Sequence, residues 1–234
     1  NKAMKTHTIK STKKTVSKKR SSRLLKKRRR QVLLQKILLL VLLFLLIGAA
    51  GIGLIFLRKK AVSPSVNSAC ENYRPDVEQI AAEYDMSDYT DLILALMMQE
   101  SSGHGADVMQ SSEGAYNTEY PQEPNGITDV DYSIRCGIQE LKYAMQKAGV
   151  TSPSDISHIK LALQAYNFGA DSYFNYLRNH GITEWSVSSS EAFAQMASGN
   201  TARSQEDTYY NTAGPWDYGD QYYPEHVLRY YHPK

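Results

Sequence analysis

The first 60 residues contain no Asp or Glu, although they hold 18 of the 27 Lys and Arg residues of this chain. Residues 61–234 carry the other 9 basic residues against all 24 acidic ones, a formal net charge of −15. The overall +3 therefore conceals a basic tail joined to an acidic domain. Cysteine is scarce: Cys70 and Cys136 are the only two. They allow at most one disulfide, and sequence alone does not decide whether their geometry permits it. Metal-ligand spacing is missing. The six histidines, His104 near Glu100 among them, are scattered, so neither a metal nor another cofactor is expected. No internal repeat is present, which excludes a repeat array. Strand signals are almost absent, which excludes an all-β fold. Aromatic residues do not interleave the basic run Lys26-Lys27-Arg28-Arg29-Arg30. The stacking surface of a nucleic-acid binder is thus missing, and no nucleic acid is expected as a partner.

Charge is missing again from Ile37 to Leu57, a run of 21 residues. At the helical rise this run spans about 30 Å, one bilayer core. The apolar part of a cleavable signal peptide is usually shorter, about 7–15 residues. An uncleaved transmembrane helix over 37–57 is therefore expected. Fifteen Lys and Arg precede it and three (Arg58, Lys59, Lys60) follow. The positive-inside rule then places the basic tail, 1–36, in the cytoplasm and the acidic domain outside. The tail would rest on anionic lipid of the cytoplasmic membrane, at about 1 kcal/mol per charge. A linker is expected over 58–73, and 74–234 are enough for one domain with its own core.

That domain reads as mostly α-helical. Pro75 suits a first helical turn, with Val77, Ile80, Ala81 and Tyr84 on one face. Ser87 or Asp88 is expected to cap the next helix, which ends near Glu100. Residues 101–127 hold four Gly and two Pro and read as a loop of cleft-forming size, with room for a small β element over 107–127. Asp129 or Asp131 opens a third helix that turns Ile134, Ile138, Leu141 and Met145 inward and stops at Gly149. Ser152-Pro153-Ser154-Asp155 reads as a helix start, with Ile159, Leu163 and Tyr166 directed to the core and Gly169 as the break. A helix from about Asp171 to Asn179, a capping box at Ser188 and Glu191, an irregular Tyr-rich stretch over 199–223 and a short helix opened by Pro224 complete the pattern.

Chemistry concentrates on Glu100, which ends the apolar run Leu92–Met98 just before Ser101-Ser102-Gly103. A carboxylate at the end of a buried helix is poorly solvated, its pKa rises, and it stays protonated near neutral pH. The general acid of a glycoside hydrolase needs that property. The alternative is an ordinary helix-end residue in water. Seven residues on, Gly103 and Gly105 allow the chain to turn back so that Asp107 faces the same cleft. A second carboxylate can activate water if the two acids stand about 6.5–9.5 Å apart. An acid that merely turns the loop fits Asp107 equally well. The tyrosines Tyr209, Tyr210, Tyr218, Tyr222, Tyr223, Tyr230 and Tyr231, with Trp216, are dense for a loop. Most are expected to anchor a strap over the core. Tyr218 or Trp216 is expected to face sugar.

Three motifs in this order carry a resemblance: Glu100-Ser101, then Met109-Gln110, then Ala165-Tyr166-Asn167-x-Gly169. Together they are similar to the goose-type lysozyme and soluble lytic transglycosylase superfamily. The run Asp107-Val108-Met109-Gln110-Ser111-Ser112-Glu113, with Tyr218-Gly219-Asp220 and His226–Tyr231, resembles one branch more closely. That branch is the lysozyme-like muramidase domain of two-domain wall hydrolases encoded on Gram-positive conjugative elements. The resemblance covers about residues 71–231 and implies a lysozyme-like helical domain. It implies Glu100 as general acid and Asp107 as second carboxylate. Gln110, Tyr166 and Asn167 would contact the glycan. Ser112, Glu113 and Tyr218 would be further cleft contacts, with Glu113 the substitute base if Asp107 faces away.

The expected activity is cleavage of the β-1,4 bond between N-acetylmuramic acid and N-acetylglucosamine, opening the wall for conjugative transfer. The expected partners are peptidoglycan glycan strands and components of a type IV secretion or conjugation machine. The alternatives are a lytic transglycosylase that uses Glu100 alone and a non-catalytic glycan-binding scaffold. Members of the branch usually continue into an NlpC-type cysteine endopeptidase. This sequence offers no Cys–His dyad for one, so peptide cleavage is not expected of it.

Overall fold

The computed structural model describes residues 64–233, together with Lys36 and Val41. Residues Ser63–Lys234 form one unit, distinct from Asn1–Val62. The expected transmembrane helix over 37–57 lies outside the described residues, Val41 apart. Among the described residues no helix is long and apolar enough to cross a membrane.

The stretch read as linker closes with a helix. Asn67 accepts the amide of Cys70 and caps α1 (Ser68–Asn72), and the buried Cys70 turns its sulfur to Met98 at 3.9 Å. Helix α2 (Arg74–Glu83) follows, with Pro75 in its first turn and Val77, Ile80 and Ala81 buried. A 3-10 turn, Ser87–Tyr89, leads into α3 (Thr90–Glu100). Neither Ser87 nor Asp88 caps α3 through its side chain; the Thr90 hydroxyl instead donates to Ser87 O at 2.9 Å. Leu92 to Met97 are all buried, so α3 is apolar on every side and runs through the core.

Helix α4 (Val130–Ala148) is amphipathic. Asp129 accepts the amide of Tyr132 at its start, and Gly149, at φ 77°, ends it in the left-handed conformation. Its buried face includes Ile134, Ile138, Leu141 and Met145, at helical spacing. Gly137 lets this helix approach the 101–129 loop, since a Cβ there would come within 2.6 Å of the Met109 Cβ.

Helix α5 (Ile156–Phe168) packs on α4 and is capped by Asp155, not by Ser152. Helix α6 (Ala170–Asn179) follows directly after Gly169, which takes φ 85°. Helix α7 (Val187–Ala197) has its capping box at Ser186 and Ser189, two residues before the expected pair. Helix α8 (Tyr223–Leu228) carries Pro224 in its first turn and packs on α3 and α5. Phe168, Tyr173 and Phe193 join α5, α6 and α7, with Phe168 and Phe193 stacked at 5.1 Å.

The small β element expected over 107–127 does not form. Asn117 supplies the reason: its side chain donates to Ser112 O at 2.7 Å and accepts the amide of Tyr120 at 3.0 Å. Loop backbone that a strand partner would satisfy is satisfied locally. Among the described residues the sole β pairing is an isolated bridge between Ala202 and Trp216.

The Tyr-rich stretch is held both by polar side chains and by Tyr218, Tyr222 and Tyr223, whose hydroxyls donate to Phe168 O, Glu191 and Glu100. Buried Arg203 donates to Gly214 O at 3.2 Å and Gly219 O at 2.6 Å and pairs with Asp207 at 3.1 Å. Buried Gln221 donates to Trp216 O and Tyr218 O and accepts the amide of Trp216. Tyr209 stays 61 % exposed, whereas Tyr223 and Tyr231 are buried. Both cysteines are free and buried, so the allowed disulfide is not made.

Candidate active site

A cleft of about 690 Å³ opens at the end of α3. Glu100 from α3, Gln110 and Glu113 to Tyr116 of the loop, Glu140 and Tyr143 from α4, Tyr166 to Phe168 from α5 and Tyr218 contribute to its lining. Its position follows from three local events. Ser102 and Gly103 take φ 56° and 75°, so the chain reverses directly after Glu100. The Ser101 hydroxyl donates to Val108 O at 2.7 Å and closes that reversal. Gly169 breaks α5 from α6 one turn beyond Tyr166.

Glu100 is half-buried, and the Tyr223 hydroxyl of α8 donates to its Oε1. Burial pushes the carboxyl up to about 7; the Tyr223 hydrogen bond opposes that rise, and the charges of Asp107, Asp220 and Glu140 add to it. Glu100 therefore exchanges its proton near neutrality. Tyr166, from α5, donates its hydroxyl to Met109 O at 2.8 Å and so fastens the loop to the cleft floor. Burial, reinforced by the negative charge of Glu100, holds the Tyr166 phenol well above its ordinary range. It remains a hydrogen-bond donor at any working pH.

Asp107 does not face this cleft. It is 2 % exposed and absent from the lining. Its Oδ1 accepts from the Ser111 amide at 3.0 Å and the Ser133 hydroxyl at 2.7 Å. Its Oδ2 accepts from the Ser112 amide at 3.2 Å and the Ser112 hydroxyl. With the Ser111 hydroxyl at 3.5 Å from Oδ1 as a fifth, longer contact, these donors occupy the four acceptor positions of a carboxylate. The side chain ties the loop to α4 through Ser133, and no lone pair is left for a water. Ser112 is likewise turned inward: buried, it donates to Asp107 and accepts the amide of Ile127 at 3.0 Å. The expectation that both would line the cleft is corrected by this network.

The remaining residues picked from sequence do meet around Glu100. Gln110 is exposed on the rim at φ 48°, held by its side-chain bonds to Asp107 O at 2.9 Å and Asn125 at 2.8 Å. Glu113 is exposed and lines the cleft. Asn167 accepts the amide of Asp220 at 2.7 Å, and Tyr218 donates to Phe168 O at 3.1 Å. Trp216 is not among the lining residues. Two cleft features escaped the sequence reading, Tyr223 and Glu140. In the sequence Tyr223 looks like its neighbouring tyrosines, and Glu140 lies one helical turn from Cys136 on a helix whose clearest signal is its apolar face. Charge on the face of α4 toward the loop was the available signal.

A family described as Lysozyme-like matches residues 68–231. Bifunctional muramidase/DL-endopeptidase CwlT of Bacillus subtilis is 32 % identical over 160 residues, 68 % of this chain and 41 % of that protein. The uncharacterized membrane protein YocA of the same organism is 35 % identical over 162 residues, 67 % of this chain and 65 % of its own length. A solved Staphylococcus aureus protein, described as similar to lipoprotein of the NLP/P60 family, superposes with a TM-score of 0.56 at 30 % identity. That alignment covers 71 % of this chain and 54 % of that one. The chain thus spans less than two thirds of each of these relatives.

Proposed function

This chain belongs to the lysozyme-like family, and on that premise we propose that it is an N-acetylmuramidase acting on peptidoglycan. The bond cleaved is the β-1,4 link between N-acetylmuramic acid and N-acetylglucosamine. The observation that carries the reading is Glu100, a carboxyl whose pKa burial raises to about 7, at the end of a buried helix and lining the cleft. A neutral acid there can protonate the glycosidic oxygen as the bond breaks. The name of CwlT, muramidase, is consistent with that chemistry.

Water then attacks the anomeric carbon, and its proton must go to a base. Asp107 has no free acceptor position, so the role passes to Glu113, whose exposed carboxylate lines the same cleft. Glu100, left as carboxylate, regains its proton from solvent. The Asp107 network also gives a second reading some support. A lytic transglycosylase needs only Glu100, because the 6-hydroxyl of the muramic acid replaces water as nucleophile. Mass spectrometry of the released muropeptides separates the two. Hydrolysis yields reducing ends, the result we expect, and 1,6-anhydro ends as the main product would move the assignment to transglycosylation.

The cleft is proposed to face the wall from outside the cytoplasmic membrane, with residues 37–57 as the anchor and the basic tail inside. Charge asymmetry alone supports this placement. Protease added to intact protoplasts should remove residues 61–234 and spare the tail; a protected domain would refute it. Local wall opening for conjugative transfer, beside secretion-channel components, is the proposed setting, and it rests on the resemblance of the Asp107–Glu113 run.

A further inference from the structure

Glu140 is a charged side chain on α4 that the proposed reaction does not use. It lines the cleft together with Gly114, Ala115 and Tyr116 of the loop. Among the described residues no side-chain hydrogen bond fixes its carboxyl to a neighbour. Its Oε1 is sealed from water and makes no hydrogen bond among the described residues, whereas Oε2 is not so enclosed and belongs to a residue that lines the cleft. The loop makes room for it: a Cβ on Gly114 would lie 1.5 Å from Oε1. With the carboxyl in this position, a side chain at 114 would displace it.

An enclosed polar atom without a partner costs stability, and an apolar side chain of the same size would avoid that cost. Burial pushes the carboxyl up to about 7, partly opposed by the nearby amides of Tyr116 and Ala115. Those amides soften the penalty without removing it. Groups of this kind collect where a ligand completes the missing bonds.

We propose that Glu140 is a substrate-contacting, specificity-determining residue, whose open oxygen accepts a hydrogen bond from an N–H or O–H donor on the bound amino-sugar strand. The inference rests on the cleft being the glycan site. It assigns Glu140 to binding and leaves bond cleavage to Glu100. The free protein tolerates an unsatisfied acid in order to hold an acceptor ready, so function and stability are opposed at this position.

That opposition gives the test. In the intact chain, Glu140→Leu should raise Tm by roughly 2–6 °C, because the unpartnered group is gone. In a Glu100→Gln background, which cannot consume the ligand, the same change should weaken binding of an N-acetylglucosamine hexamer about tenfold. Glu140→Gln keeps an acceptor oxygen, so its loss should be smaller; with Glu100 intact it should raise KM and leave kcat within about twofold. A carboxyl that merely fastens the loop predicts the reverse, a lower Tm in both variants. A lower Tm, or hexamer affinity within about twofold of the parent in both variants, overturns the proposal. If the leucine variant does not fold, the glutamine variant decides by hexamer affinity and KM: weaker binding and a raised KM support the proposal, and values within about twofold of the parent overturn it. Failure of the wild type to release wall fragments would remove the muramidase reading but leave the binding and Tm results to decide Glu140 separately.

Discussion

Glu100→Gln should lower the rate of wall lysis by about 10³-fold or more, with little change in binding, when turbidity of purified Gram-positive walls is followed. Gln keeps the shape of the side chain and cannot give up a proton. The wild-type rate should fall as pH rises through about 7, where the carboxyl ionises. Tyr223 refines the expectation. Its hydroxyl donates to Glu100 and favours the ionised form, so Tyr223→Phe should move the alkaline limb to higher pH. Stability follows the same linkage. The native carboxyl holds its proton more tightly than the unfolded one, whose value is 4.5. Stability is therefore lost as pH rises from about 4.5, and the full penalty, up to about 3 kcal/mol, applies above about 7. Glu100→Gln should accordingly be more stable than wild type at pH 8 and little different at pH 4. Retained lysis in Glu100→Gln would remove this residue from the chemistry.

The second large effect is on folding. Asp107→Ala should cost about 3–5 kcal/mol in urea unfolding, since two amides and two hydroxyls lose a buried charged acceptor together. Asp107→Asn should lose somewhat less, because one oxygen remains and the new amide group opposes two donors. Among the described residues the loop over 107–127 has no strand partner to hold it otherwise. Lytic activity in these variants should fall with the folded fraction, and under conditions where Asp107→Asn is fully folded its rate should approach that of wild type. A fully folded Asp107→Asn with its rate down by 10²-fold or more would return the base role to Asp107. Glu113→Gln provides the complementary measurement, since that exposed residue can be changed without disturbing the loop network.

Much of this domain was legible because helices announce themselves. The apolar run of α3, the spacing of Ile134, Ile138, Leu141 and Met145, and Gly149 and Gly169 as stops are properties of a few neighbouring residues. Caps were less secure. Ser152 and Ser188 offered good local chemistry, yet Asp155 and the Ser186–Ser189 pair took the roles, because packing set where each first turn began. The helix over Ser68–Asn72 was hidden in a polar stretch, since its reason for forming is Cys70 packing against a residue 28 positions away.

The site divides in the same way. Sequence by itself determined that an acid would end an apolar helix before a Gly-bearing reversal, and that a Tyr-Asn pair would stand at a second helix break. Both depend on short-range periodicity and on glycine's access to positive φ. Only the tertiary structure decided which carboxylates face the cleft. Asp107 is turned away by Ser133, 26 residues distant, and Glu140 is brought in by the packing of α4 against the 113–116 loop. Tyr223 reaches Glu100 across 123 residues. Whether a carboxyl is a loop tie, a proton donor or an open acceptor depends on the donors that surround it. Those donors come from segments far apart in the chain, so the choice is made by packing and not by local sequence.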